Sequence, residues 1–151
     1  MLNINLRGTL LTLTAFLPLL LSTEPSPTVS PDGERGVLVL VSSAAAFEGQ
    51  RGQAVYAASK GAIASLALPL ARDLGRWGVR AVAVAPGVFE SGMTAVMSDK
   101  VKRSLADARE FPRRDGKGHE FAAAVRQVLE NPMWNGAVLR LDGAVRLPSK
   151  M

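Results

Sequence analysis

GVLVLVS (residues 36–42) and VRAVAVAPG (residues 79–87) bracket the stretch that decides the fold. Each is a run of branched or small apolar residues without polar alternation, the pattern of a strand buried on both faces of a parallel sheet. Residues 53–77 between them carry helical patterning. Ala54, Ala58 and Ala62 form a small side, Ile63, Leu66, Leu70 and Leu74 a larger apolar one, and Gly75 and Gly78 supply the stop. Pro69 falls inside this helix and predicts a bend. Strand, helix and strand make one βαβ unit, expected to be right-handed.

Working outward, "STEPSPTVSPDGER" holds three prolines among polar turn residues, so residues 22–35 are expected to form a surface loop. Before it, "MLNINLRGTLLTLTAFLPLLLSTEPS" offers one cation, Arg7, and an apolar run from Leu10 to Leu21. Residues 1–22 can be read as a signal peptide, and the alternative is a buried amphipathic helix. Thr12, Thr14 and Pro18 interrupt the run, no clean small-residue cleavage site follows, and the run is short for a bilayer span, so the buried helix is favoured. On the other side, residues 91–108 show weak helical patterning. Residues 119–130 form a clear helix with Phe121, Val125, Val128 and Leu129 as its apolar positions, and "NPMWNG" ends it. Residues 137–147 read as a third strand with a turn at Asp142-Gly143 and a short apolar tail.

A chain of 151 residues, 48% of them hydrophobic, can bury one core, and 1–151 is read as one domain. The net charge of +5 is scattered, and its densest groups, KVKR (100–103) and RRDGK (113–117), lack interleaved aromatics. They are expected to be solvated faces, with no nucleic-acid partner. Without cysteine, and with His119 as the single histidine, neither a disulfide nor a metal site is expected.

The chain's one tyrosine, Tyr56, precedes Lys60 by four residues and follows Ser43 by thirteen. Four residues is one helical turn, which places phenol and ammonium on one face. Tyrosine, with an ordinary pKa near 10, is poorly suited to proton transfer at neutral pH, and a nearby cation lowers that value by about 1 to 3 units. Ser43 stands at the carboxyl end of the first buried strand, where open α/β sheets gather their ligand crevice, and its hydroxyl can bond an oxygen on which charge develops. The competing structural reading is a helix that merely happens to carry a tyrosine and a lysine.

Ser43, Tyr56 and Lys60 at these separations resemble the catalytic signature of the short-chain dehydrogenase/reductase family. "NINLRGT" resembles the family segment whose asparagine, here Asn5, bends a helix and completes a proton relay near the lysine. "APG" (85–87) resembles the turn whose following backbone meets the nicotinamide, and Ser91 stands where a threonine is common. "AAFEGQ", "LPLARDL", "FPRR" and "ENPMWNGAVLRLDGAVRL" are similar to the type-2 3-hydroxyacyl-CoA dehydrogenases of that family. The resemblance implies hydride transfer between NAD, with NADP not excluded, and a secondary alcohol or ketone such as a 3-hydroxyacyl-CoA. It implies Asn5, Ser43, Tyr56 and Lys60 as catalytic residues. Tyr56, Lys60, Pro86, Gly87, Val88, Phe89 and Ser91 are implied to be cofactor-binding, and Ser43, Gln50 and Tyr56 substrate-binding. Glu90 departs from the small residue usual beside that turn.

The fold implied is a partial Rossmann-like, doubly wound parallel sheet holding only the fifth, sixth and seventh of the family's strands. The glycine-rich phosphate turn and the rest of the N-terminal nucleotide-binding half have no counterpart in these residues. The expectation is therefore the C-terminal portion of a longer dehydrogenase, binding cofactor weakly by itself and exposing the edge of strand 36–42 to self-association. Alternatives are an inactive chain acting as an interaction module, or a secreted protein with residues 1–22 as its signal peptide. The resemblance further implies a small-molecule substrate, no membrane partner, a homo-oligomeric parent enzyme, and a cytoplasmic or mitochondrial location.

Overall fold

The computed structural model of the chain describes residues 1–22, 24–25, 31–95 and 109–146. Three strands, β1 (Gly36–Val41), β2 (Val79–Pro86) and β3 (Val138–Leu141), form one sheet in the order β1-β2-β3, with both pairings parallel. Gly36 lies opposite Val79 and Val41 opposite Val84, while β3 joins β2 from Ala83↔Val138 to Pro86↔Leu141. The third strand ends at Leu141, just before the expected turn at Asp142-Gly143. Helix α1 (Gly8–Ser22) continues a π-helical turn (Asn3–Arg7). Helix α2 (Ala54–Leu74) links β1 to β2, α3 (Gly92–Ala95) follows β2, and α4 (Gly118–Glu130) precedes β3. The expected weak helix over 91–108 is described only in its first turn, and KVKR and the tail beyond residue 146 lie outside the described residues.

Among the described residues β2 alone has a strand on each side, and every residue from Val79 to Ala85 is buried. Burying side chains the size of Val82, Val84 and Ile63 contributes about 1.5–3 kcal/mol each. α2 lies against β2 and β1, burying Ser59, Ile63, Ala64, Ala67, Ala71 and Leu74. The larger apolar side meets the core, with Ile63 and Leu74 buried and Leu66 and Leu70 packed partly buried against it, while Ala54 and Ala58 of the small side face outward. Ser59, Ala64, Ala67 and Ala71 complete the seat and allow close approach to the sheet. The helix runs on through Pro69, continues as a 3-10 turn over Gly75–Trp77, and ends at Gly78, whose φ of 71° is the left-handed stop a glycine accepts at little cost. In α4, Val128 is fully buried, but Leu129, expected on the apolar face, is exposed.

One strand residue departs from the apolar pattern. Arg80 is buried in β2, and its guanidinium forks onto Glu34 at 2.8 and 2.9 Å. Nη1 donates to the carbonyls of Val128 and Trp134 at 2.9 and 2.8 Å, so the loop before β1, β2 and the end of α4 are tied at one side chain.

The N-terminal segment is helical but not buried, which corrects the expectation of a buried amphipathic helix. None of its residues is buried, and Leu11 and Phe16 are 54% and 60% exposed. Leu6 and Leu13 pack on the core formed by Leu40, Ile63, Ala67 and Ala83, and the other faces are apolar as well. The expected interruptions do not break it, because Thr9, Thr12 and Thr14 return their hydroxyl protons to the carbonyls of Asn5, Gly8 and Leu10. With the π turn included, the helix spans Asn3–Ser22, 20 residues, and together with Ala54–Trp77 it is long and apolar enough to cross a membrane by length and composition. Among the described residues, β1 pairs with β2 alone. A trough of about 650 Å³ runs along its other edge, walled by β1, Lys60 and the N-terminal helix from Ile4 to Phe16.

Candidate active site

The carboxyl ends of β1 and β2 frame the site. After Val41 the chain leaves the sheet through Ser42, whose amide donates to Val84 O and whose buried hydroxyl donates to the carbonyl of Lys60 at 2.7 Å. That bond fastens the strand end to α2. Ser43 then caps a 3-10 turn, Ala44–Ala46, its Oγ accepting from the Ala45 amide at 3.1 Å. Because that bond uses a lone pair, the hydroxyl hydrogen remains available to an external acceptor. The Gln50 amide donates to the Gln53 side chain at 3.2 Å and the Gln53 amide returns to Gln50 O at 3.0 Å, which fixes the turn that starts α2.

Beyond β2, the backbone is held by two neighbours. Gly87 donates to Leu141 O at 2.9 Å, and a Cβ there would come within 3.1 Å of Asp142, so the two strand ends meet closely where glycine stands. Gly116 donates to Val88 O and accepts from the Glu90 amide, an isolated parallel bridge with Phe89. Phe89 meets Phe121 of α4 edge to face at 5.9 Å. Ser91 and Thr94 cap each other at the start of α3, Ser91 N donating to Thr94 Oγ1 at 2.9 Å and Thr94 N to Ser91 Oγ at 3.2 Å.

These pieces enclose one pocket of about 600 Å³. Ser43, Gln50, Tyr56, Pro86, Gly87, Val88, Phe89 and Ser91 all line it, so eight of the ten expected site residues meet there. Asn5 and Lys60 line the adjacent trough instead. α2 joins the two spaces. Lys60 Nζ donates to Val41 O at 3.0 Å and lies 5.9 Å from the Tyr56 ring centroid, and burial pushes the ammonium below the ordinary lysine range. Asn5, at the middle of the π turn, donates from Nδ2 to Ser59 Oγ at 3.1 Å, and Ser59 donates to the carbonyl of Tyr56 at 2.7 Å. The helical irregularity thus brings the amide to the backbone of the Tyr56-Lys60 turn. Glu90 is exposed beside this loop.

Sequence reasoning missed Gln53, Thr94, Arg109, Phe121 and Val145, which also line the pocket. It also missed the brace behind it, where Arg140 donates to Asp142 at 2.7 Å and Glu48 at 3.0 Å and lies over the Phe47 ring. The signal for that brace, a basic residue between two apolar strand positions, is weak without the acidic partner far away in sequence. Among the described residues, no cluster of histidine, aspartate or glutamate is arranged to hold a metal ion.

The family model for short chain dehydrogenases matches residues 1–102. The chain belongs to the short-chain dehydrogenase family. It is 44% identical over 145 residues to 3-hydroxyacyl-CoA dehydrogenase type-2 of Drosophila melanogaster, covering 96% of this chain and 55% of that protein. The enzyme of the same name from Rattus norvegicus is 45% identical over 145 residues, covering 96% and 54%. The crystal structure of 3-hydroxyacyl-CoA dehydrogenase type-2 from Mycobacterium avium superposes with a TM-score of 0.90 at 36% identity, over 99% of this chain and 56% of that one. The chain therefore spans about half the length of the relatives it matches, and the three strands are part of the family's Rossmann-like sheet. Short-chain dehydrogenases are oxidoreductases that use NAD or NADP on small-molecule substrates.

Proposed function

We propose that this chain supplies the acid/base and substrate half of a dehydrogenase that moves a hydride between NAD and a secondary alcohol or ketone, with a 3-hydroxyacyl-CoA as the substrate class. The observation that carries the reading is the pocket itself, in which Ser43, Gln50 and Tyr56 face the Pro86–Phe89 turn and Ser91. Tyr56 is the proton donor and acceptor for the substrate oxygen, since no described residue occupies its hydroxyl. Lys60, one turn away with its ammonium 5.9 Å from the ring, favours negative charge on the phenol, and Ser43 donates its free hydroxyl hydrogen to the same substrate oxygen. Gln50 orients the substrate from the wall of the pocket. Asn5 holds the turn that carries both Tyr56 and Lys60 and serves the proton path on the trough side.

The cofactor fit rests on the turn after β2. Val88 and Phe89 line the pocket and their amides donate to no acceptor among the described residues, a donor set suited to a carboxamide, while Lys60 suits ribose hydroxyls. Bound NAD supplies the hydride acceptor. The 44% identity to the type-2 enzyme of Drosophila melanogaster supports the acyl-CoA class.

The test joins the N-terminal half of a family relative ahead of Asn5 and assays NAD reduction with a short 3-hydroxyacyl-CoA. A folded product that reduces NAD only when the substrate is present is expected, and a folded product that binds NAD yet shows no turnover would overturn the reading.

A further inference from the structure

We infer that the Arg109 guanidinium recognises a carbonyl oxygen of the acyl ligand, making it a specificity-determining residue of the pocket; the inference rests on the reading of that pocket as the acyl site. Arg109 is 3% exposed. It lines the 600 Å³ pocket together with Ser43, Tyr56 and Phe89, and also an adjoining cavity of about 130 Å³ beside Asp142 and Gly143. Nη2 donates to Asp115 Oδ1 at 2.6 Å, whereas Nη1 is buried and has no hydrogen-bond partner.

That vacancy is unusual within this molecule. Arg80, equally buried, spends its guanidinium on Glu34 and on the carbonyls of Val128 and Trp134, and the half-buried Arg140 spends its own on Asp142, Glu48 and Val145. Arg109 Nη1 is the one buried side-chain nitrogen or oxygen without a partner among the described residues. Leaving such a donor unmatched costs about 1–3 kcal/mol, and more for a charged group, so an arginine that lines two cavities and keeps one donor without a protein partner calls for an acceptor from outside the chain.

The chemistry of that acceptor follows from Asp115. Its carboxylate already offsets the guanidinium charge at 2.6 Å, so a second carboxylate would be opposed by it, while a neutral carbonyl oxygen gains a charge-assisted bond without that repulsion. Val88, Phe89, Phe121 and Val145 on the same walls suit a hydrocarbon chain. An acyl group carrying a thioester, ester or amide carbonyl satisfies both features.

The experiment titrates the 151-residue chain with hexanamide, hexanol and hexanoate, following amide resonances by NMR. Hexanamide should bind roughly tenfold or more tightly than hexanol, as a hydrogen bond to a charged group implies. Arg109→Met should abolish that preference and leave hexanol unchanged. Because that variant leaves Asp115 without its cation, Arg109→Met combined with Asp115→Leu provides the same reading in a charge-balanced background. In the unmodified chain, the Arg109 guanidinium resonances should move with hexanamide and stay still with hexanol, a readout that needs no variant to fold. Equal binding of amide and alcohol, a preference that survives loss of Arg109, or tighter binding of hexanoate than of hexanamide would each overturn the assignment. Failure of the dehydrogenase reading alone would appear differently, as a silent completed enzyme whose pocket still discriminates amide from alcohol through Arg109.

Discussion

Gly116 has no side chain because the ring of Phe89 occupies the place one would take: a Cβ there would lie 2.5 to 2.7 Å from three ring atoms. The ring cannot yield easily, since it abuts Phe121 edge to face and its backbone is bridged to Gly116 on both sides. Gly116→Ala is therefore expected to destabilise the chain by about 1–3 kcal/mol, as overpacking does, and to disturb the pocket wall. Urea unfolding of the two proteins checks this, and an unchanged midpoint would show that the ring has room to move. At this scale the sequence was partly readable. Ser43 and Tyr56 could be found because they sit at fixed spacings within one βαβ unit, and Gln50 because the stretch around it resembles the family's substrate pocket. Arg109 could not, because its burial depends on Asp115 and on a cavity assembled from several separate segments.

At the scale of the element, helix α4 begins with a carboxylate doing the work of a cap. Glu120 accepts from the Lys117 amide at 2.7 Å and from both Nη atoms of Arg114 at 2.9 and 2.6 Å. The Arg114 hydrogen bonds first, then the Lys117 amide, hold its pKa at about 2, below the ordinary 4.5. A carboxylate depressed in the folded state contributes stability that is fully present above its unfolded pKa and is lost as pH falls through the folded one. The contribution of Glu120 should accordingly fade between about pH 4.5 and pH 2, and Glu120→Gln should be less stable than the parent at pH 6 with the gap closing as the pH approaches 2. Thermal midpoints of both proteins across that range provide the check, and a gap independent of pH would contradict the cap. The same scale shows why helix existence is easier to read than helix orientation. Residues 53–77 announce a helix, and its buried face carries Ile63 and Leu74 as the larger apolar side suggests, but also Ser59, Ala64, Ala67 and Ala71, whose small size lets the helix approach the sheet closely. The N-terminal helix shows the converse difficulty, since apolar residues on all sides give no direction for a face to point.

Across the whole molecule, three parallel strands in chain order follow directly from the apolar runs and the turn residues that bound them, and the βαβ connection supplies the crossover. Less readable was the division of labour around α2. Its first turns border the pocket through Tyr56 and the trough through Lys60, where Asn5 of the N-terminal π turn also stands. The helix thus borders two spaces at once, the pocket and the trough along the edge of β1 that has no strand partner among the described residues. Everything in the proposed chemistry passes through the phenol that stands on this helix. Turnover of Tyr56→Phe, measured in the completed domain with NAD and a 3-hydroxyacyl-CoA, tests it most directly. The variant should lose roughly 10²- to 10⁴-fold in turnover while its affinity for NAD changes little, because only the proton-transferring hydroxyl is removed; turnover near that of the unmodified protein would contradict Tyr56 as the acid/base.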